Sequence, residues 1–346
     1  MGDAGVIDWD FAARTGARLA PRGPRTSRYT AEAVTAELAD ASVRAEAPVR
    51  EVTGLADGLP VPAARVLDRP EWIAAASASM RELMAERSGD GDGDGDGDGG
   101  AFLGGKPGGL QAGAMLAFLS TAILGQYDPF TGPNGTLLLV APNVVAVERS
   151  LRVRPSDFRL WVCLHEVTHR VQFSSSPWLA GYMKDCVSTL GDGADEPLSA
   201  LVSRVSEALR NREELGDGIV GLLRATQAPA QREALDRLLM LGTLLEGHAD
   251  HVMDAVGPAV VPTVGRIREA FDARRTRKQN PVQRILRALL GMDAKMAQYV
   301  RGKAFVDAVV AQVGMAQFNA IWTDADTLPR TDEIEAPERW TARVLG

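Results

Sequence analysis

Two histidines one helical turn apart give the strongest chemical signal in the sequence. His165 and His169 flank Glu166 in the segment HEVTH. Residues four apart share one face of a helix, so both imidazoles can bind the same zinc ion. Glu166 projects about 100° further round the helix, where its carboxylate can take a proton from an activated water. The motif therefore predicts zinc ligands at His165 and His169 and a catalytic base at Glu166.

All four histidines of the chain lie in two short segments, and the second segment is EGHADH. A catalytic zinc ion usually has three protein ligands and one open position, so the third ligand must come from outside HEVTH. In a helical EGHADH segment, Glu246 and Asp250 face one way. His248 and His251 face about 140–160° away from Glu246. One of these two pairs is expected to face the metal.

We favour Glu246 as the third ligand, with Asp250 accepting the free N–H of a ligand histidine. His248 and His251 are then candidates to stabilise the oxyanion of a tetrahedral intermediate, which gives them a catalytic role. In the alternative, His248 or His251 is itself the third ligand. Gly247 lacks a side chain, which permits a close approach of another helix at this point.

Composition describes an ordinary soluble globular protein. The chain has 346 residues, of which 45% are hydrophobic and 24% charged, enough for a substantial core. The net charge of −7 argues against nucleic acid or an anionic membrane surface as the main partner. Two cysteines build no disulfide framework, and the N-terminus lacks the basic and apolar regions of an export signal, so we expect a cytoplasmic protein. The uncharged stretch 109–125 is interpreted as a buried core helix rather than a membrane span.

The distribution of apolar residues predicts a mainly α fold with a small β component. We expect a helical N-terminal region at 1–87, a flexible Gly/Asp loop at 88–100 and a catalytic region at 101–346. The first and last of these are expected to form one compact domain. The strand TLLLVA at 136–141 is the best strand candidate, and Ser156 is a plausible N-cap for the HEVTH helix. The predicted helices are 109–125, 157–173, 178–190, 197–211, 229–254 and 295–320.

The sequence resembles the gluzincin branch of zinc metallopeptidases, whose pattern is HExxH with a distant Glu, often as ExxxD. It is more similar still to a family of zincin-like metallohydrolases that is sometimes labelled as associated with biosynthesis of a deazaflavin coenzyme. The resemblance implies a zincin-like metallopeptidase fold, largely helical, and does not identify a substrate. The matching stretches are DWDFAARTGARLAPRGP, LGQYDPF, LLLVAPNVVAVER, DFRLWVCLHEVTHRVQF, LLEGHADHVMD and MDAKMAQYVRGKAFVDAV.

Four polar residues outside the metal motifs could hydrogen-bond a substrate carbonyl or carboxylate. The resemblance draws attention to Tyr299 and Arg301, and Tyr127 and Asn143 are similar candidates. Each of them could equally satisfy backbone carbonyls inside the protein. Cys163 points about 160° away from the first histidine of the motif, so we expect it in the core.

The predicted activity is zinc-dependent hydrolysis of a peptide or small amide substrate, with an extended substrate pairing with the edge of the strand at 136–141. The alternative is a zinc-stabilised binding or scaffold protein without hydrolase activity. Structural zinc sites are usually closed by four Cys or His ligands, whereas HEVTH brings a carboxylate base, so the sequence favours an enzyme. The oligomeric state is left open.

Overall fold

The computed structural model describes residues 7–84, 106–191, 228–276 and 292–346, with the backbone alone at 106–107, 272, 274–276 and 292–300. In this part of the chain the protein is mainly α-helical with one small sheet, as predicted. The chain forms two compact units. Unit 1 comprises Met1–Glu51, Ala56–Ser174 and Val256–Asp272, and unit 2 comprises Val52–Leu55, Ser175–Ala255 and Ala273–Gly346. The predicted Gly/Asp loop at 88–100 and the predicted helix at 197–211 lie outside the described residues.

The elements follow one another along the described chain, with helices and strands numbered here in chain order. They are α1 Trp9–Leu19, α2 Arg28–Arg44, α3 Glu46–Thr53, β1 Arg65–Leu67, α4 Arg69–Met84, α5 Lys106–Leu119, β2 Gly125–Asp128, β3 Thr136–Val140, α6 Ala141–Leu151, α7 Pro155–Ser175, α8 Trp178–Gly191, α9 Pro229–Val260, α10 Val264–Thr276, α11 Met292–Val313, α12 Met315–Phe318, short 3₁₀ turns at Asn319–Trp322 and Ala325–Thr327, and α13 Pro337–Val344.

The sheet of unit 1 has the strand order β1-β3-β2, so β3 is its central strand. β3 pairs in parallel with β1 and antiparallel with β2. Its apolar residues are buried, which confirms the strand predicted at 136–141. The expectation that this strand offers a free edge to a substrate is wrong, because β1 and β2 occupy both of its edges. The sequence did not reveal β1 and β2, which are short and carry polar residues.

The predicted helix at 109–125 is too long at its C-terminal end. α5 ends at Leu119, and β2 begins at Gly125. The hydroxyls of Ser120 and Thr121 donate to carbonyls three residues back, at 2.7 and 2.8 Å, and such local bonds compete with the helical ladder. Among the described residues, no helix combines the length and hydropathy that a bilayer crossing requires.

The helix that carries HEVTH begins earlier than predicted. α7 starts at Pro155, so Ser156 lies within its first turn and is not its N-cap. Proline suits the first helical position, because the N–H that it lacks would have no helical partner there. Asp157 in the same turn accepts hydrogen bonds from the backbone N–H and hydroxyl of Thr263, at 3.1 and 2.7 Å.

Two buried arginines anchor α7 within unit 1. Arg159 makes a two-pronged contact with Glu148, with N–O distances of 2.8 and 3.0 Å. Arg170 pairs with the buried carboxylate of Glu46 and donates to the carbonyl of Pro62 at 2.7 Å. Burial lowers the pKa of Arg170 to about 10. Breaking a buried pair of this kind typically costs about 3–5 kcal/mol, so these contacts fix the position of α7 strongly.

In unit 2, α9 and α11 approach each other at two glycines. A Cβ on Gly247 would lie 2.2 Å from the carbonyl carbon of Gly302, and a Cβ on Gly302 would lie 2.1 Å from the carbonyl oxygen of Thr243. The close helix approach that Gly247 permits is therefore present. The contact also fixes the position of α11 along α9 next to Glu246, which precedes Gly247 in the chain.

The other helix predictions differ from the structure mainly at their ends. α8 matches the predicted 178–190 to within a residue. α9 extends beyond 254 to Val260, interrupted at Gly257, which has a positive φ of 63°. The predicted helix 295–320 corresponds to α11 and α12, because the chain turns at Gly314 with a φ of 79°.

Candidate metal centre

His165 and His169 lie one turn apart on α7 with their Nε2 atoms facing each other. The Nε2–Nε2 distance is 3.2 Å, and the ring planes meet at 88°. Both side chains are half-buried. Two zinc ligands at 2.0–2.1 Å in tetrahedral geometry stand about 3.3 Å apart, so the separation of these nitrogens fits a shared zinc ion.

Glu246 completes a group of three possible ligands. One ligand atom from each of His165, His169 and Glu246 lies within 4.8 Å of the other two. Among the described residues, neither His248 nor His251 belongs to this group. Two imidazole nitrogens and one carboxylate oxygen form a donor set that suits zinc and leaves its fourth position open. The residues therefore fit the metal.

Gln172 contacts the other nitrogen of His169. Its Oε1 lies 2.9 Å from His169 Nδ1, and its side chain is fully buried. The predicted hydrogen-bond partner of a ligand histidine is Asp250, which lies half-buried on α9, one turn beyond Glu246. Gln172 was missed, although its position three residues after His169 places the two side chains on neighbouring sites of one helix face.

Glu166 is buried against the first residue of β2. The side chain is 7% exposed. A Cβ built on Gly125 would lie 2.6 Å from Cγ of Glu166 and 2.9 Å from its Oε1. The absence of a side chain at Gly125 thus lets the strand backbone pack directly on the carboxylate. A glycine within a strand often marks such a close approach. This signal could have pointed to Gly125 in the sequence, and it was missed.

The two histidines of EGHADH lie in different surroundings. His248 is fully buried in unit 2, and its ring centroid lies 5.5 Å from that of Phe318 and 5.2 Å from that of Trp322. His251 places Nδ1 2.7 Å from Oδ1 of Asp307 on α11. Their predicted role as oxyanion stabilisers stays a prediction.

Asp307 belongs to a chain of charges between α9 and α11. Its Oδ2 accepts from Lys303 Nζ at 2.5 Å, and Lys303 Nζ also lies 3.2 Å from Oδ2 of Asp254. Burial disfavours the charged form of Asp307, but hydrogen bonds from Lys303 and His251 outweigh it and hold the pKa of Asp307 below its ordinary value. Burial likewise opposes the charge on Lys303, yet the two aspartates raise its pKa.

Two of the residues considered for substrate binding have partners within the protein. Tyr127 donates its hydroxyl to the carbonyl of Asn134 at 2.9 Å, and burial raises its pKa. Asn143 is buried and accepts from Arg69 Nε at 2.8 Å. Its amide also donates to the carbonyl of Ser120 at 2.7 Å. These contacts give both side chains a structural function.

The remaining candidates have separate outcomes. Arg301 is exposed, with Nη1 3.5 Å from Oε1 of Glu335. The side chain of Tyr299 lies outside the described residues. Cys163 is fully buried, with Sγ 3.7 Å from the carbonyl oxygen of Leu38, which confirms its place in the core. Burial raises the pKa of its thiol above the ordinary value, so the sulfur stays protonated and unreactive.

Comparison with known proteins identifies the family. A sequence model of the zincin-like metallopeptidases matches residues 7–341, and the chain belongs to this family. A comparison with curated proteins gives no match. Among solved structures, the chain is similar to a Chloroflexus aurantiacus protein described as a candidate hydrolase with a novel fold. The identity is 27% and the TM-score 0.66, with 98% of each chain covered. Family and structural neighbour both support a hydrolase, and the family implies a bound metal ion.

Proposed function

We propose that this protein is a zinc-dependent hydrolase that cleaves a peptide or amide bond. The observation that carries the proposal is the convergence of His165, His169 and Glu246, whose ligand atoms lie within 4.8 Å of one another. Three protein ligands with an open fourth position are typical of a catalytic zinc site, whereas structural sites are closed by four ligands.

The three ligands would hold the ion through two neutral imidazoles and one carboxylate. When bound there, zinc supplies Lewis acidity toward a water molecule and toward the scissile carbonyl. The carboxylates of Glu246 and Glu166 together carry two negative charges, which match the charge of the dication.

Glu166 would act as the general base. Its carboxylate accepts a proton from the attacking water and then donates that proton to the leaving nitrogen, so the group returns to its starting state. The contact between Glu166 and the backbone at Gly125 supports this role. It confines the carboxylate to a small range of positions, and proton transfer in a bound complex requires such confinement.

An extended substrate would bind along β2. This strand lies at an edge of the described three-stranded sheet, and its first residue touches Glu166. A peptide that adds to such an edge forms main-chain hydrogen bonds at a regular spacing, which places one of its amide bonds beside the base. β2 thus takes the role that was predicted for the strand at 136–141.

The substitution Glu166→Gln tests the proposal, because it keeps the size of the side chain and removes the base. We expect the variant to bind zinc like the wild type and to lose cleavage of a peptide library read out by mass spectrometry. The scaffold alternative predicts no cleavage by either protein. The proposal would be contradicted if the wild-type protein bound no zinc after reconstitution. It would also be contradicted if Glu166→Gln cleaved peptides as fast as the wild type.

A further inference from the structure

We infer that Gln172 is a positioning residue, which holds His169 in the tautomer that can bind a metal ion through Nε2. The inference rests on the proposed metal site and deepens it. A neutral imidazole carries its single proton on either Nδ1 or Nε2, and only the nitrogen without the proton has a lone pair for a metal. Whatever fixes the proton on Nδ1 therefore prepares Nε2 as a ligand.

The geometry assigns this task to the amide of Gln172. Its Oε1 lies 2.9 Å from Nδ1 of His169, within hydrogen-bond distance. An amide oxygen only accepts, so this orientation of the Gln172 amide pairs with a proton on Nδ1. The lone pair of Nε2 then faces His165, whose own Nε2 lies 3.2 Å away. The ring is thereby oriented toward the ligand group before any ion arrives.

The hydrogen bond is built into α7 itself. His169 and Gln172 are separated by three positions on one helix, so their relative placement follows from helical geometry rather than from a loop. The side chain of Gln172 is fully buried and that of His169 is half-buried, so the Gln172 end of the bond is shielded from competing water. The neighbouring residue Arg170 anchors the same turn through Glu46 and Pro62.

The choice of an amide has an electrostatic reason. Ligand histidines often donate to a carboxylate, which adds a negative charge to the site. Here Glu246 and Glu166 already supply two negative charges against a dication. A neutral acceptor at position 172 fixes the tautomer without adding a third negative charge.

The decisive experiment measures the His169 tautomer in metal-free, full-length protein. Long-range ¹H–¹⁵N correlation spectra of protein with ¹⁵N-labelled histidine distinguish protonation at Nδ1 from protonation at Nε2, and the variant His169→Asn assigns the signal. We expect the proton on Nδ1 in the wild type and in Gln172→Glu, which keeps an acceptor. Gln172→Met removes the acceptor and should give a mixture of tautomers.

Zinc affinity gives a second readout by competition with a chromogenic chelator. Gln172→Met should weaken zinc binding by about 10–100-fold, the usual cost of losing a partner of a ligand histidine. Gln172→Glu should restore wild-type affinity or exceed it. The exposed Gln317 provides the matched control, because Gln317→Met should change neither readout.

A wild-type His169 with its proton on Nε2 would overturn the inference, since the Gln172 amide would then present its NH₂ group to the ring. An unchanged tautomer in Gln172→Met would overturn it as well. If Gln172→Met does not fold by circular dichroism, the wild-type tautomer alone decides. The measurement needs neither zinc nor substrate, so a failure of the proposed hydrolase activity is seen separately.

Discussion

The backbone of Gly125 lies against the carboxylate of Glu166, so close that a Cβ on Gly125 would stand 2.6 Å from Cγ of Glu166. Real Cβ atoms do not approach other carbon atoms to this distance. The φ angle of Gly125 is not in the left-handed region, so glycine is needed here for space rather than for backbone freedom. The edge strand β2 and the proposed base can therefore be in direct contact only because residue 125 has no side chain.

Replacing Gly125 with alanine should reduce catalysis without removing the metal. The new methyl group would push the Glu166 side chain aside, and a displacement of about 1 Å in a reacting group can cost about 100-fold in rate. We expect kcat to fall by roughly 10–100-fold, with zinc content unchanged because the ligands are untouched. Steady-state kinetics on a peptide found by library screening, together with elemental mass spectrometry, checks both expectations.

Gly181→Ala is the matched control for this substitution. A Cβ on Gly181 meets no atom within 4 Å, so the same chemical change should leave kcat as it is. If Gly125→Ala were as active as Gly181→Ala, the contact between β2 and Glu166 would have no bearing on catalysis.

Metal content should separate Glu246 from His248. Loss of the hydrogen-bond partner of a ligand weakens metal binding by up to about 100-fold. Loss of the ligand itself should weaken zinc binding by more than that. We therefore expect Glu246→Ala to lose zinc during dialysis and His248→Ala to keep near one zinc per chain. His248 stacks on Phe318 and Trp322, so its replacement should lower the thermal unfolding midpoint instead. Elemental mass spectrometry after dialysis gives the answer.

The opposite pattern, with zinc lost in His248→Ala and kept in Glu246→Ala, would move the third ligand to the histidine. The class of enzyme would stay the same in that case. Asp157→Asn, far along α7 from the ligands and bonded to Thr263, serves as a control for general destabilisation.

The crossing of α9 and α11 should not tolerate a side chain at Gly247. An added Cβ would meet the backbone of Gly302 at 2.2 Å, and backbone atoms cannot move aside as a flexible side chain can. Overpacking typically costs about 1–3 kcal/mol and sometimes more, so we expect Gly247→Ala to destabilise by at least that amount. Urea denaturation with excess chelator measures the free energy of unfolding without a contribution from bound zinc.

Gly242→Ala on the same helix is the control, since a Cβ there meets nothing within 4 Å. It should be neutral or stabilising by about 1 kcal/mol, because alanine favours helix over glycine. Equal stabilities for the two variants would show that α9 and α11 do not meet as closely as described.

The ion pair between Asp307 and Lys303 should make the free energy of unfolding of the protein depend on pH. The folded pKa of Asp307 lies below its unfolded value of about 3.9, so its contribution is present above that pH and is lost as pH falls through the folded pKa. The folded pKa of Lys303 is raised, so its contribution is lost only in strong alkali. We expect Asp307→Asn to be less stable than wild type at neutral pH.

That difference should shrink toward zero as the pH falls below about 4, as measured by urea denaturation across a pH series with excess chelator. Asp332→Asn is a suitable control, because Asp332 forms an exposed pair with Arg339 that salt and solvent screen. If the stability difference between wild type and Asp307→Asn persisted at pH values well below the folded pKa of Asp307, the ionised carboxylate would not be its cause.

Much of the fold class follows from short-range pattern alone. Apolar residues at helical spacing place both ends of α7 and α8 and the start of α9 to within two residues, because each helix forms its own backbone hydrogen bonds and its pattern is local. β3 is recognisable from the short apolar run TLLLVA, which Pro142 closes. β1 and β2 are not, since a strand obtains its hydrogen bonds from distant partners and these two carry few apolar residues of their own.

The sequence by itself determined which side chains could bind a metal. The spacing of HEVTH is a property of one helix, so it fixes the mutual placement of His165 and His169 without reference to anything else. Helical angles also separated Glu246 and Asp250 from the two histidines of the same segment, and the pattern of a carboxylate ligand with an acceptor one turn on favoured Glu246. Only the tertiary structure decided which groups surround these residues, as at Gly125 beside Glu166 and at Asp307 beside His251. Such neighbours come from separate parts of the chain, and their proximity depends on how helices and strands pack, which no local pattern records.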